Sequence, residues 1–304
     1  MSMSTTIEKN IIGVAVDAGS GLEAALRSAR GSAANSDDPR VFKRAILEIL
    51  GAGANTVLVD ANLGPELLTY YPANCRKMLA YEADVYHISD DDRITVFPEN
   101  LDVEDYARLG VDQLKFFMYY APDDDFALNK RKQELVAELG ERCKKNKLRF
   151  LMEPLVYHPS VASGTAEYAA IKPELVRRAT EVFANPKFCA DVLKVEIPVD
   201  LSFVEGFGEP LMSRDEALAA FSAAAAPVTD AQLVYLSAGV SFEWFKASLQ
   251  MACEAGVDFN GFMCGRALWA DAVDFFGREG EEGLRHWLDE TGRPRLDILK
   301  AVLD

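Results

Sequence analysis

Short runs of β-branched and apolar residues alternate along most of the chain with longer stretches whose apolar positions recur at helical spacing. This is the pattern of parallel strands joined by covering helices. It repeats eight times, with strands expected at 11–17, 55–61, 78–86, 111–121, 148–157, 192–198, 232–239 and 259–269, each followed by a helical segment. The count and even spacing predict an α/β fold closed into a TIM (β/α)8 barrel, one domain spanning residues 1–304. An open doubly wound sheet would favour a glycine-rich phosphate fingerprint after the first strand, and VDAGSGLEAA comes near without matching it.

Local signals agree with this spacing. Asp37 and Asp38 precede Pro39 at a first helical position, and Ser213 with Glu216 forms a capping-box pattern before an alanine-rich stretch that Pro227 closes. Over Asn129–Lys145, Leu135, Val136 and Leu139 fall on one side and charges on the other, as in an outer barrel helix.

Charge narrows the partners. The formal net charge of -16 disfavours nucleic acid, and any anionic substrate requires a few cations and backbone amides gathered in one pocket to reverse the local field. The opening MSMSTTIEKN lacks a basic segment followed by an apolar one, and no run is long enough to cross a bilayer, so a cytoplasmic protein without a membrane partner is expected. The five cysteines, odd in number and widely spaced without a CxxC pair, read as reduced thiols.

Barrel enzymes carry their chemistry at the C-terminal ends of the strands, so polar residues late in apolar strands are the candidates. These are Lys115 in VDQLKFFMYY, Glu153 in RFLMEPLVY, Lys194 and Glu196 in VLKVEIP, and Arg266 in GFMCGRALW. Burial opposes the charge of a lysine set among Val192, Leu193, Val195 and Ile197, and a neutral amine can capture a carbonyl as an iminium that accepts electrons when the adjacent carbon-carbon bond breaks. Lys115, on a strand two units earlier, would oppose that charge further, and Glu153 on the strand between them is suited to moving protons. The same residues also suit a purely structural ion pair in the barrel interior.

These residues lie in segments that together resemble the tagatose-bisphosphate aldolase family of class I aldolases, which includes the bacterial sulfofructosephosphate aldolases. The resemblance runs through LAYEADVY, LKFFMYYAPDDD, FLMEPLVY, AEYAAIKPELV, DVLKVEIPVDLSFVEGF, VYLSAGVS and EAGVDFNGFMCGRALW, from about Met78 onward. It implies a TIM barrel without metal or cofactor, a phosphorylated ketose and a second copy in a homodimer as its partners, and retro-aldol cleavage to dihydroxyacetone phosphate and an aldehyde. Lys194 matches the Schiff-base lysine, and Lys115 and Glu153 the accessory pair. Ser237, Ala238 and Gly239, with Cys264, Gly265 and Arg266, match the loops that hold the ketose phosphate, and Glu196 accompanies them at the binding site. Asp17 matches a residue that orients hydroxyls or the lysine pair.

The chain departs from the family at one loop. Where the family's first strand ends in Asp-Gln-Arg-Gly, this sequence has Asp17, Ala18, Gly19, Ser20 and Gly21. Either Arg27 or Arg30 reaches in from the following helix, or the distal end of the substrate is neither phosphate nor sulfonate. A sulfosugar aldolase and a catalytically weak sugar-phosphate sensor are the alternative readings.

Other features take ordinary roles. His87, His158 and His286 lack metal-ligand spacing, the SDDDR and PDDDF runs lack the calcium-loop pattern and are expected as solvated turns, and Trp244, Trp269 and Trp287 are expected to anchor packing. Cys264 is expected as a small buried hydrophobe rather than a nucleophile.

Overall fold

The strands β1 (Ile11–Val16), β2 (Thr56–Val59), β3 (Arg76–Ala80), β4 (Gln113–Tyr120), β5 (Arg149–Val156), β6 (Val192–Glu196), β7 (Gln232–Leu236) and β8 (Gly261–Cys264) close into a single barrel in sequence order. Every pairing is parallel, including β1 with β8. This computed structural model describes residues 10–303, so the opening nine residues, expected to carry no export signal, lie outside the described residues.

The helices are α1 (Ser20–Arg30), α2 (Asp38–Ile49), α3 (Gly64–Leu67), α4 (Val103–Arg108), α5 (Phe126–Lys145), α6 (Ala166–Phe183), α7 (Arg214–Ala225), α8 (Phe242–Glu254), α9 (Arg266–Trp269), α10 (Ala272–Trp287) and α11 (Arg293–Lys300). No helix among the described residues is long and apolar enough to cross a membrane. The Ser213–Glu216 capping box forms at α7, and α2 begins with Pro39 in its first turn.

Strand alternation separates two cores. Ile11, Ala15, Leu58, Met78, Leu151 and Val234 fill the barrel interior with their neighbours, while the larger apolar cluster packs the outer strand faces against the helices. Gly13 points inward where a Cβ would meet the Met263 sulfur at 2.6 Å, so the missing side chain is what admits the methionine.

Every strand is shorter than its expected apolar run, and two depart from it most. The third begins at Arg76 and ends at Ala80, not Tyr86, because after Tyr81 the chain leaves the ladder and Ala83 N–H donates to Val96 O within its own loop. The last ends at Cys264, not Trp269: the chain turns at Gly265 into α9, and the Trp269 indole donates to Ala15 O at 2.8 Å. An apolar run shows that a segment is buried; hydrogen-bond partners decide whether it is strand or helix.

The aspartates of the PDDDF run are more structured than solvated turns. Asp125 caps α5, Asp124 accepts from the Tyr157 hydroxyl, and Asp123 pairs with Arg178 at 2.6 Å. His158 holds its own loop, its Nδ1 accepting from Val161 N–H at 3.1 Å.

Candidate active site

The inward alternation that builds the interior continues, one step beyond its apolar layers, into charged side chains. Asp17 follows Ala15, Glu82 follows Ala80, Glu153 follows Leu151 and Lys194 follows Val192 at period two, while Lys115 projects from β4. Parallel pairing of β3 through β6 brings these positions together at the C-terminal end of the barrel.

There Glu153 bridges the two lysines, its carboxylate 3.0 Å from Lys194 Nζ and 3.1 Å from Lys115 Nζ. Lys115 also pairs with Asp17 at 3.0 Å and with Glu82. The carboxylate expected on the strand between the two lysines thus bridges their amines.

Burial works to discharge Lys115, yet Glu153, Glu82 and Asp17 together hold its ammonium well above the ordinary lysine value. Burial likewise pushes the Asp17 carboxyl up, but Lys115 and Lys194 outweigh it and bring it down to about 2. In Glu82 the balance reverses: burial wins over the attraction of Lys115 and the carboxyl rises to about 7. Glu82 Oε2 has no hydrogen-bond partner, a second expression of the same desolvation. Glu196 is raised by burial, against Lys172 and a 2.7 Å hydrogen bond donated by Val156 N–H.

This cluster forms the floor of a cavity of about 1010 Å³ at the barrel mouth. Ser237, Ala238, Gly239, Gly265 and Arg266 form the wall on the β7 and β8 side, so Lys194 and Arg266 share one opening. Ala238 and Gly239 both take left-handed conformations, with φ of 47° and 78°. For alanine that conformation costs roughly 1 kcal/mol. At Gly239 a Cβ would stand 2.7 Å from the Arg266 guanidinium carbon, so glycine is what lets the backbone approach it. Cys264, beneath this wall, is fully buried, and burial pushes its thiol up to about 12.

Neither arginine proposed to reach in from α1 does so. Arg30 pairs with Asp38 at 2.9 Å and stacks over Phe276, while Arg27 is exposed and takes no part in the cavity wall. Ser20 instead donates from its backbone N–H to Asp84 at 2.6 Å and from its hydroxyl to the same carboxylate.

Sequence reasoning passed over Glu82, Lys172 and Asp84, all of which line the cavity. Glu82 was detectable, since it continues the inward phase of Met78 and Ala80. Lys172 lies on α6, where an amphipathic pattern does not distinguish a lysine over the mouth from one in solvent.

A model of the DeoC/LacD family aldolases matches residues 12–271. The chain belongs to this aldolase family. The aldolase is 38% identical over 279 residues to the tagatose 1,6-diphosphate aldolase of Streptococcus pneumoniae, covering 88% of this chain and 84% of that one. It is 32% identical over 301 residues to the tagatose 1,6-diphosphate aldolase of Listeria monocytogenes, covering 98% and 88%. Among solved structures its fold resembles an archaeal fructose-1,6-bisphosphate aldolase whose catalytic lysine is covalently bound to the carbinolamine intermediate (TM-score 0.60, 16% identity, 96% and 95% covered). It also resembles the fructose-bisphosphate aldolase of Plasmodium falciparum (TM-score 0.71, 12% identity, 97% and 91% covered). Membership of the family makes the protein a carbon-carbon lyase.

Proposed function

We propose that this aldolase cleaves a ketose phosphate through a Schiff base on Lys194, releasing dihydroxyacetone phosphate and an aldehyde. The observation that carries the reading is the 3.0 Å contact between Lys194 Nζ and the Glu153 carboxylate on the floor of a cavity that also contains Arg266. The names of the relatives, enzymes acting on tagatose 1,6-diphosphate, support the substrate class.

In this reading Arg266 and the backbone of Ser237–Gly239 and Gly265 hold the phosphate on C1. Lys194 passes its proton to Glu153, attacks the C2 carbonyl, and the carbinolamine loses its hydroxyl as water with a proton returned by Glu153. A base then takes the proton of the C4 hydroxyl, the C3–C4 bond breaks, and its electron pair flows into the iminium to give an enamine while the aldehyde departs. Protonation of C3 and hydrolysis of the imine free dihydroxyacetone phosphate and regenerate Lys194. Lys115, held charged by three carboxylates, fixes Glu153 from the opposite side, and Asp17 orients both Lys115 and a substrate hydroxyl.

Borohydride reduction in the presence of dihydroxyacetone phosphate tests the mechanism. A permanent adduct on Lys194, absent from Lys194→Ala, is expected in the mass spectrum of the digested protein. An unmodified Lys194 rules the imine out.

A further inference from the structure

Phe116, Met118 and Tyr120 of β4 pack outward against the helices, so Lys115, Phe117 and Tyr119 form its inward face. Lys115 is taken up by three carboxylates, and its Nζ lies 4.9 Å from the centre of the Phe117 ring. Tyr119 stands two residues further along the strand, half-buried in the cavity wall. Its ring is held edge-on by Phe117 (centroids 5.5 Å apart, 78° between planes) and by Tyr157 (6.5 Å, 83°), with the Arg93 guanidinium 6.0 Å from its centre.

The tyrosines around it have partners for their hydroxyls. Tyr120 accepts from Gln133 at 2.9 Å, Tyr157 donates to Asp124, and Tyr168 donates to Val156 O at 3.0 Å. Among the described residues the Tyr119 hydroxyl has no hydrogen-bond partner, although its ring is fixed on two sides. Burial holds its phenol above the ordinary tyrosine value, so it keeps its proton and can donate it. Glu153, Glu196 and Lys115 all act on that ionisation, as groups facing one space do.

Ring geometry relates this hydroxyl to the substrate. In a closed ring of eight strands, β4 stands across from β8, with β6 midway between them. A ketose held by its C1 phosphate at Arg266, after β8, and by C2 at Lys194, on β6, carries C3 and the carbons beyond it away from β8 and toward β4. Lys172, the fourth cation of the cavity lining, acts on Glu196 on the β5 and β6 flank, to one side of that line.

We infer that Tyr119 contacts the substrate, its hydroxyl donating a hydrogen bond to an oxygen of the aldehyde half, beyond the bond that breaks. This assignment rests on the aldolase reading above and divides its site in two: Arg266 and Lys194 hold the dihydroxyacetone phosphate half, and Tyr119 aligns the half that departs. A donor on a rigid ring orients the bond to be cleaved without taking part in imine formation.

Tyr119→Phe keeps the ring and removes only the hydroxyl, and two rates measured on the full chain test the assignment. The first is cleavage of a panel of ketose 1-phosphates and 1,6-bisphosphates. The second is exchange of the C3 proton of dihydroxyacetone phosphate with deuterium from solvent, which needs Lys194 and Glu153 but no aldehyde half. Loss of one neutral hydrogen bond is expected to lower kcat/KM for the best-cleaved ketose by about tenfold and to change the exchange rate by less than about twofold. An equal fall in both rates overturns the assignment, because Tyr119 would then act through Glu153 and Lys115. Unchanged cleavage, or a panel from which nothing is cleaved, overturns it as well. Borohydride trapping with dihydroxyacetone phosphate separates the two levels: with Lys194 labelled, these results retire the role of Tyr119 alone, whereas absence of label retires the imine mechanism beneath it.

Discussion

Glu153 and Lys194 face one another across neighbouring strands at 3.0 Å, and both are almost wholly buried at the floor of an open cavity. A buried lysine with a carboxylate at hydrogen-bond distance is costly to dismantle, since removing one partner strands the other. Here the same contact also gives the amine somewhere to send its proton.

Glu153→Gln keeps the shape of the side chain and removes its ability to take a proton. Cleavage is expected to fall by roughly 10²–10⁴-fold in kcat, the usual contribution of a positioned acid-base group. Single-turnover trapping checks the assignment: imine formation and bond cleavage should both slow, with substrate affinity changing far less than kcat.

Glu82 titrates at about 7, raised from 4.5, beside Lys115. The folded protein therefore holds a proton that the unfolded chain has lost, and this group's contribution to stability falls as pH rises from about 4.5 to 7 and is constant above. Urea unfolding across that range should show a component of this sign that is absent in Glu82→Gln. The pH profile of kcat/KM is expected to lose an ionisation near 7 in the same variant.

Arg266→Ala removes the guanidinium from the β7 and β8 wall. A rise in KM of roughly 10–100-fold is expected, in line with loss of a charge-assisted, bidentate contact to phosphate. Inorganic phosphate should weaken as a competitive inhibitor by a similar factor. Gly239→Ala should reproduce part of this effect with Arg266 still present, because the added Cβ would stand 2.7 Å from the guanidinium carbon.

Leu58 is fully buried in the barrel interior, away from the lysine cluster. Leu58→Ala is expected to destabilise the fold by about 2–5 kcal/mol through lost burial and the cavity left behind. Denaturant unfolding monitored by tryptophan fluorescence gives the value directly.

Eight apolar runs at even spacing, each capable of burying both faces, left a closed parallel barrel as the economical arrangement, and the sequence alone determined that much. It also located Lys115, Glu153 and Lys194, because a charged residue inside an apolar strand stands out against its neighbours. The ends of β3 and β8 were not legible, since burial looks alike in strand and helix until hydrogen-bond partners are known. Nor was the three-carboxylate environment of Lys115, because Asp17, Glu82 and Glu153 are separated by long stretches of chain and meet only when the ring closes. The same holds at the mouth. The family resemblance raised the expectation that Arg27 or Arg30 reaches in from α1; only tertiary structure placed Arg30 against Asp38 and turned the Asp84 carboxylate toward Ser20. Periodicity is a local property that a linear chain displays, whereas the charge of a pocket is a sum over residues that folding alone makes neighbours.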